Sequence, residues 1–148
     1  MKKALPIITV LCTFLFQTNF ILGQEEKQTL YLDRMMQEIE QGSAVFKMEL
    51  RRVGGDRHEG IIYDYAGAIK AKGSYVKFGK KYLEDAHFTF YFQNGQIESE
   101  GEYDLGIKVG YWKRYDSKGN RKTDRYYPTE TADRIRESMK LNKVEEEK

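Results

Sequence analysis

The chain has 148 residues, with 25 Lys and Arg against 23 Asp and Glu, and one cysteine. That length holds one modest domain with room for a core. The single cysteine excludes a disulfide framework and a Cys-ligated metal centre, and the near balance of charge argues against a duplex-binding protein, which concentrates positive charge on one face.

The first element is a targeting segment. Met1-Lys2-Lys3 is a short basic region, Ala4 to Phe16 is apolar, and Gln17-Thr18-Asn19 interrupts before Ile21-Leu22-Gly23. This pattern predicts a secretory signal peptide over residues 1–23, cleaved after Gly23. It places the protein in the periplasm, at the cell surface or outside the cell. A membrane anchor would want about 20 predominantly apolar residues, and the polar interruption spoils that length. Cys12 lies in this segment behind Leu11, which is not the small residue that lipoprotein processing wants. Removing Lys2 and Lys3 from the basic count leaves 23, equal to the acidic count, so the mature chain is formally neutral.

Residues 24–43 read as an N-terminal helix, because Leu32, Met35, Met36 and Ile39 fall at i, i+3, i+4 and i+7 on one stripe. Gly42-Ser43 ends it. Residues 44–127 read as a β-hairpin domain. Its first strand, Ala44–Val53, alternates Phe46, Met48 and Leu50 with Lys47, Glu49 and Arg51, and ends at Gly54-Gly55-Asp56. Pro128 closes the ladder, since it has no N–H to donate. Residues 128–148 form a second helix, over Thr129–Lys143, and a short tail. Ala132, Ile135 and Met139 give that helix a thin apolar stripe.

The middle of the chain is internally repetitive, the mark of an array of small units. Gly73-Ser-Tyr75 echoes Gly101-Glu-Tyr103, and Tyr91…Gly95 echoes Tyr115…Gly119. Gly60-Ile-Ile62-Tyr-Asp-Tyr65 echoes Gly110-Tyr-Trp112-Lys-Arg-Tyr115, with an aliphatic residue in the Trp position. Three units result, near 57–72, 73–100 and 101–127, the middle one enlarged at Lys80–His87. Asn94-Gly95 is a strong two-residue hairpin signal, because a type I′ turn needs positive φ at both positions. A loop there pairs Phe92 with Ile97, Phe90 with Ser99 and Phe88 with Gly101. It sets Phe88, Phe90, Phe92, Ile97 and Tyr103 on one face and His87, Thr89, Tyr91, Glu98, Glu100 and Glu102 on the other. A second turn around Leu105–Lys108 brings Trp112 across Gly101, which has no side chain of its own, and sets Lys113 opposite Glu100.

These residues resemble the MORN-repeat variant family, which includes repeat antitoxins of bacterial toxin–antitoxin modules. The residues that carry the resemblance are Tyr91, Asn94, Gly95, Gly101, Tyr103, Gly106, Gly110, Trp112, Tyr115 and Gly119. Lys118 departs from the pattern where a turn Asn is expected. The resemblance implies a mainly β fold, an antiparallel β-meander of hairpin repeats, which the periodicity above flanks with an N-terminal and a C-terminal helix. It also implies a protein partner, with neutralisation of a protein toxin as one form of that role and attachment to membrane lipid as another.

No catalytic set emerges from the residues. Glu98, Glu100 and Glu102 sit on one strand roughly 7 Å apart, a spacing open to glycosidic acid–base chemistry. An alternating acidic strand is also how the wet face of an antiparallel sheet looks. His58 and His87, the two histidines, fall in different units with no nucleophile or metal-spaced partner. The sequence therefore predicts no enzyme, cofactor or metal. It predicts a binding module for a protein or cell-envelope component, with a membrane surface as an alternative and nucleic acid not expected. The candidate surface is Tyr75, Lys77, Lys80, Lys81, Tyr91, Tyr111, Lys113 and Tyr115. Tyrosine presents a large ring with a polar tip, and lysines among aromatics suit anionic surfaces.

Overall fold

The computed structural model describes residues 26–146, with the side chains of the last helix described as far as Ser138. The predicted signal peptide and its cleavage site lie outside the described residues. Eight strands follow one another across a single antiparallel sheet in chain order. They are β1 (Lys27–Leu32), β2 (Phe46–Gly54), β3 (Arg57–Asp64), β4 (Ile69–Phe78), β5 (Lys81–Tyr91), β6 (Ile97–Asp104), β7 (Ile107–Tyr115) and β8 (Arg121–Tyr127). Among the described residues one α-helix, α1 (Glu130–Glu146), follows Pro128. The meander expected from the repeats is present, as is the C-terminal helix.

Over the described residues 26–43 the predicted N-terminal helix is not present. Lys27–Leu32 is a strand paired with β2, Leu30 opposite Met48 and Leu32 opposite Phe46. Alternation decides this: Leu30 and Leu32 are buried, whereas Met35 and Met36, which completed the helical stripe, are exposed. The Asp33 carboxylate accepts the N–H groups of Met35 and Gln37, folding 33–37 into a turn in which Met36 takes a positive φ. Such local bonds compete directly with helix. A single 3₁₀ turn at Gln41–Ser43 leads into β2.

The hairpin loops fall into two kinds. Residues 64–68, 92–96 and 116–120 share one pattern. In each, the first residue's N–H donates to the carbonyl of the last, and the fourth is a glycine (Gly67, Gly95, Gly119) whose φ is 86°, 81° or 85° and whose N–H donates to the carbonyl of the first. These are three-residue loops closed by a glycine bulge. The expected two-residue type I′ turn at Asn94-Gly95 is therefore corrected: Ile97 faces Tyr91 rather than Phe92, and is exposed. Phe90 opposite Ser99 and Phe88 opposite Gly101 stand as expected. Lys118 leaves the third loop unchanged, because Asp116 caps it by accepting the Lys118 and Asn120 N–H groups. Consecutive positive-φ residues lie instead at Gly54-Gly55 and at Leu105-Gly106, the latter between Asp104 and Ile107.

One cross-strand row explains the glycines. Leu50, Gly60, Gly73, Phe88 and Gly101 stand opposite one another from β2 to β6. Each of the three glycines is roofed by a ring: Tyr75 over Gly60, Phe88 over Gly73 and Trp112 over Gly101. A β-carbon at Gly73 would sit 2.1 Å from the Phe88 ring, and one at Gly101 would sit 2.5 Å from the Trp112 ring. The rings then touch edge to face, Tyr75 on Phe88 at 5.1 Å and Tyr103 on Trp112 at 5.2 Å between centroids. With Leu30, Leu32, Met48, Leu50, Ile62 and Ala71 they form one continuous core on one face of the sheet. Ile62 and Trp112, matched by the repeat, are both buried in it.

The enlarged middle unit lengthens β4 and β5 and bends them back over that core. The Tyr82 hydroxyl donates to Gln28 of β1 at 2.6 Å, and the Tyr82 ring meets His58 edge-on at 5.0 Å. The sheet thus curls, with the start of β5 reaching β1. At the far end α1 buries Ala132, and Arg136 pairs with Asp104.

Candidate functional site

The structure divides the eight candidate surface residues among three places. Tyr75 is core: it is 1 % exposed, and burial pushes its hydroxyl pKa well above the usual tyrosine value. The sequence reading that set it on the surface is corrected. The strand's inward face falls on Ala71, Gly73 and Tyr75, and the gap above Gly60 needs a ring. Lys77, Lys80 and Lys81 stand at the β4–β5 tip. Lys80 and Lys81 border a hollow of about 450 Å³ beside Leu30, Leu32 and Met48, on the core side. Lys77 lies over the Tyr82 ring at 5.7 Å.

Tyr91, Tyr111, Lys113 and Tyr115 share the outer face, where Lys113 and Tyr115 meet at Glu100. Lys113 pairs with Glu100 at 3.2 Å, as its register predicts, and the Tyr115 hydroxyl donates to the same carboxylate at 3.4 Å. His87 meets Glu102 at 3.0 Å across the β5–β6 pair. Tyr91 carries the Lys72 ammonium at 5.9 Å. Tyr111 faces Tyr126 on β8, with ring centroids 4.9 Å apart and both rings largely exposed. A row of Thr29, Glu49, Ile61, Lys72, Thr89, Glu100 and Lys113 runs across this face from β1 to β7. Within it Lys113 pairs with Glu100, while Glu49 pairs with Lys47 beside the row and Lys72 lies over the Tyr91 ring.

The three carboxylates have different surroundings. Glu100 and Glu102 are each engaged by a cation or a histidine. Glu98 is the unpaired residue of the β5–β6 bulge, between Ile97 opposite Tyr91 and Ser99 opposite Phe90, and acts electrostatically on Lys108. His58, buried, has Nδ1 3.0 Å from the Asp56 carbonyl. Among the described residues, no group of three or more His, Cys, Asp or Glu is placed to hold a metal ion. Nor, among them, is any helix long and apolar enough to cross a membrane.

Sequence reasoning missed two features. The first is Lys108, which belongs to β7 rather than to a turn. Its ammonium lies 3.9 Å from the Trp112 ring centroid and within 6 Å of Phe90, Tyr103 and Tyr127. Burial pulls its pKa below the usual lysine value. The second is a cleft of about 780 Å³ on the outer face of β1–β3, bordered by Tyr31, Lys47, Glu49, Tyr63 and Tyr65. The alternation that set Lys47 and Glu49 outward was its only sequence trace.

Glu84, beside the β6–β7 turn, gives the fold a pH signature. Its carbonyl accepts the Gly106 N–H at 2.8 Å, and burial raises its carboxyl pKa. A pKa higher in the folded than in the unfolded chain means that protonation favours folding. The stabilisation is complete below the usual glutamate value and is lost as pH rises through the raised one. Glu84→Gln is therefore expected to melt higher than the parent at pH 7 and to converge with it as pH falls towards 4. Melting temperatures across that range check this, and a constant difference would contradict it.

Comparison with protein-family models, with curated proteins and with solved structures gives no match to this chain. Function must be read from the surface itself.

Proposed function

We propose that the chain is an exported, non-catalytic repeat protein of the MORN-variant kind, whose outer sheet face docks a protein of the cell envelope. The observation that carries this reading is the Tyr111–Tyr126 pair. Two large rings face each other across β7 and β8 and remain 72 % and 54 % exposed. Tyrosines so placed are the residues that anchor protein interfaces. The neighbouring Lys113–Glu100–Tyr115 cluster supplies a polar rim that is already internally paired.

The test is capture from the native envelope fraction on immobilised protein, comparing the parent with the double variant Tyr111→Ser/Tyr126→Ser. Both side chains are exposed, so the double variant keeps its melting temperature within a few degrees. A partner retained by the parent should be held at least tenfold more weakly by the variant. Equal retention would remove the reading.

The β4–β5 tip favours a second reading, contact with an anionic membrane surface. Phe78 is 47 % exposed there and pairs with Lys81, next to Lys80. Co-sedimentation with anionic vesicles that weakens with salt and with Lys80→Glu/Lys81→Glu supports it; binding that ignores both changes rejects it.

A further inference from the structure

We propose that the cleft over the outer face of β1–β3 is a ligand site of its own, and that it takes a neutral saccharide. This inference does not depend on the Tyr111–Tyr126 patch. The cleft, at about 780 Å³, lies within the roughly 300–1,000 Å³ of small-ligand sites. The sheet face forms its floor, and the 41–45 segment and the β3–β4 turn form its walls.

Its rings come from Tyr31, Tyr63 and Tyr65. Tyr65 is 89 % exposed at the tip of the turn, the most exposed of the large apolar or aromatic side chains of the described residues. The turn that carries it is held firmly. The Asp64 carbonyl accepts the Gly67 N–H at 3.0 Å, and the Asp64 carboxylate accepts the Ala68 N–H at 2.9 Å. An open ring on a backbone so held, at the mouth of a cleft, offers a platform for a flat, partly apolar surface.

The charges in the cleft are already answered. The Lys47 ammonium is 2.7 Å from Glu49 and lies over the Tyr63 ring at 4.9 Å. Asp64 is held ionised below the usual carboxylate range, first by the Ala68 N–H. An ionic ligand would have to break these pairs. A neutral polyol does not, since hydroxyls both donate and accept. They can add to Glu49, Lys47, the Tyr63 hydroxyl and the Gln41 amide without displacing a bond. A sugar ring also offers a C–H face to Tyr65.

A peptide fits less well. Peptides that bind sheets add to a free edge, but β2 and β3 are internal strands. On β1 the Tyr31 carbonyl already accepts the Ile39 N–H at 2.8 Å. Recognition here must rest on ring faces and side-chain tips.

The experiment is saturation-transfer NMR on the purified protein with maltotetraose, cellotetraose and chitotetraose as probes. At least one is expected to bind. Tyr65→Ala should weaken it at least tenfold without moving the melting temperature, and Tyr111→Ser/Tyr126→Ser should leave it unchanged. No binding by any of the three overturns the proposal, as does binding that Tyr65→Ala leaves within twofold. Loss of an envelope protein on Tyr65→Ala, with no saccharide bound, would reassign the cleft to a protein interface. Because the docking patch is tested by a different pair of residues, either idea can fail alone.

Discussion

Replacing Gly101 by alanine is expected to lower stability by about 3 kcal/mol, the upper end of the overpacking range. The added β-carbon would fall 2.5 Å from the junction of the Trp112 ring system. Trp112 is 1 % exposed and is walled by Tyr103, Phe90 and Tyr127. It therefore has no empty space to enter, and the strand must move instead. Gly73→Ala should cost as much, because Phe88 is equally enclosed and nearer still. An intrinsic gain of about 0.5–1 kcal/mol from replacing a strand glycine works in the other direction and is the smaller effect. Gly42 serves as control, because a β-carbon added there would meet nothing within 4 Å. Its change to alanine should stay within about 0.5 kcal/mol.

The cause can be isolated. In a Trp112→Leu background, Gly101→Ala should lose most of its cost, giving a coupling of about 2 kcal/mol in a double-mutant cycle. Urea melts followed by circular dichroism measure all four corners. If Gly101→Ala costs the same with and without the indole, the ring is not what the glycine accommodates, and the roofed-glycine account of the core fails.

Much of this arrangement is legible in the sequence. Hairpin register alone sets Trp112 over Gly101, pairs Lys113 with Glu100 and His87 with Glu102, and makes the repeat at Gly73 equivalent to that at Gly101. Those relations are short in sequence, and side chains two residues apart must share a face. The first strand escapes such a reading because its evidence is remote. Leu32, Met35, Met36 and Ile39 do fall at helical spacing. What decides the conformation is the pairing of Lys27–Leu32 with Phe46–Arg51, which no window of ten residues contains. Asn94-Gly95 misleads for a subtler reason. A three-residue loop and a two-residue loop both place glycine in a left-handed conformation, and they differ by one residue of register. That single residue sends Ile97 to solvent and parts Glu98 from Glu100.

The candidate surface is legible only in its β7 portion. Tyr111, Lys113 and Tyr115 follow from the alternation that buries Trp112. The β1–β3 cleft gathers Tyr31, Lys47 and Tyr63, which face one another across three strands only once β1 is paired with β2 and β2 with β3. Tyr75 is misplaced by local pattern because Gly-x-Tyr looks the same whether the ring turns outward or roofs the neighbouring glycine. The row of facing glycines settles it, and that row exists only once the strands are in register.

Trp112→Ala is expected to be the most damaging single change, with a loss of about 4 kcal/mol from removing a fully buried indole. Two further effects travel with the ring. Its Nε1–H donates to the Glu102 carbonyl at 3.2 Å, and it is the nearest of the four rings around the Lys108 ammonium. Lys108 is already at a disadvantage in the fold, since burial lowers its pKa. Its contribution is full above the usual lysine value and falls as pH drops through the lowered one. The indole face partly offsets that penalty by cation–π attraction, worth roughly 0.5–2 kcal/mol. Trp112→Phe keeps a smaller ring and loses the hydrogen bond, so it should cost about half as much as Trp112→Ala. Since Trp112 is the only tryptophan, unfolding must be followed by far-ultraviolet circular dichroism rather than indole fluorescence. The charge can then be tested against the ring. Lys108→Met should be tolerated in the parent but should recover part of the loss in Trp112→Ala, where the ammonium has lost its closest ring. If Lys108→Met is as damaging with the indole absent as with it present, the lysine is held by something other than the aromatic cluster, and the end of the core is organised differently from what the ring contacts imply.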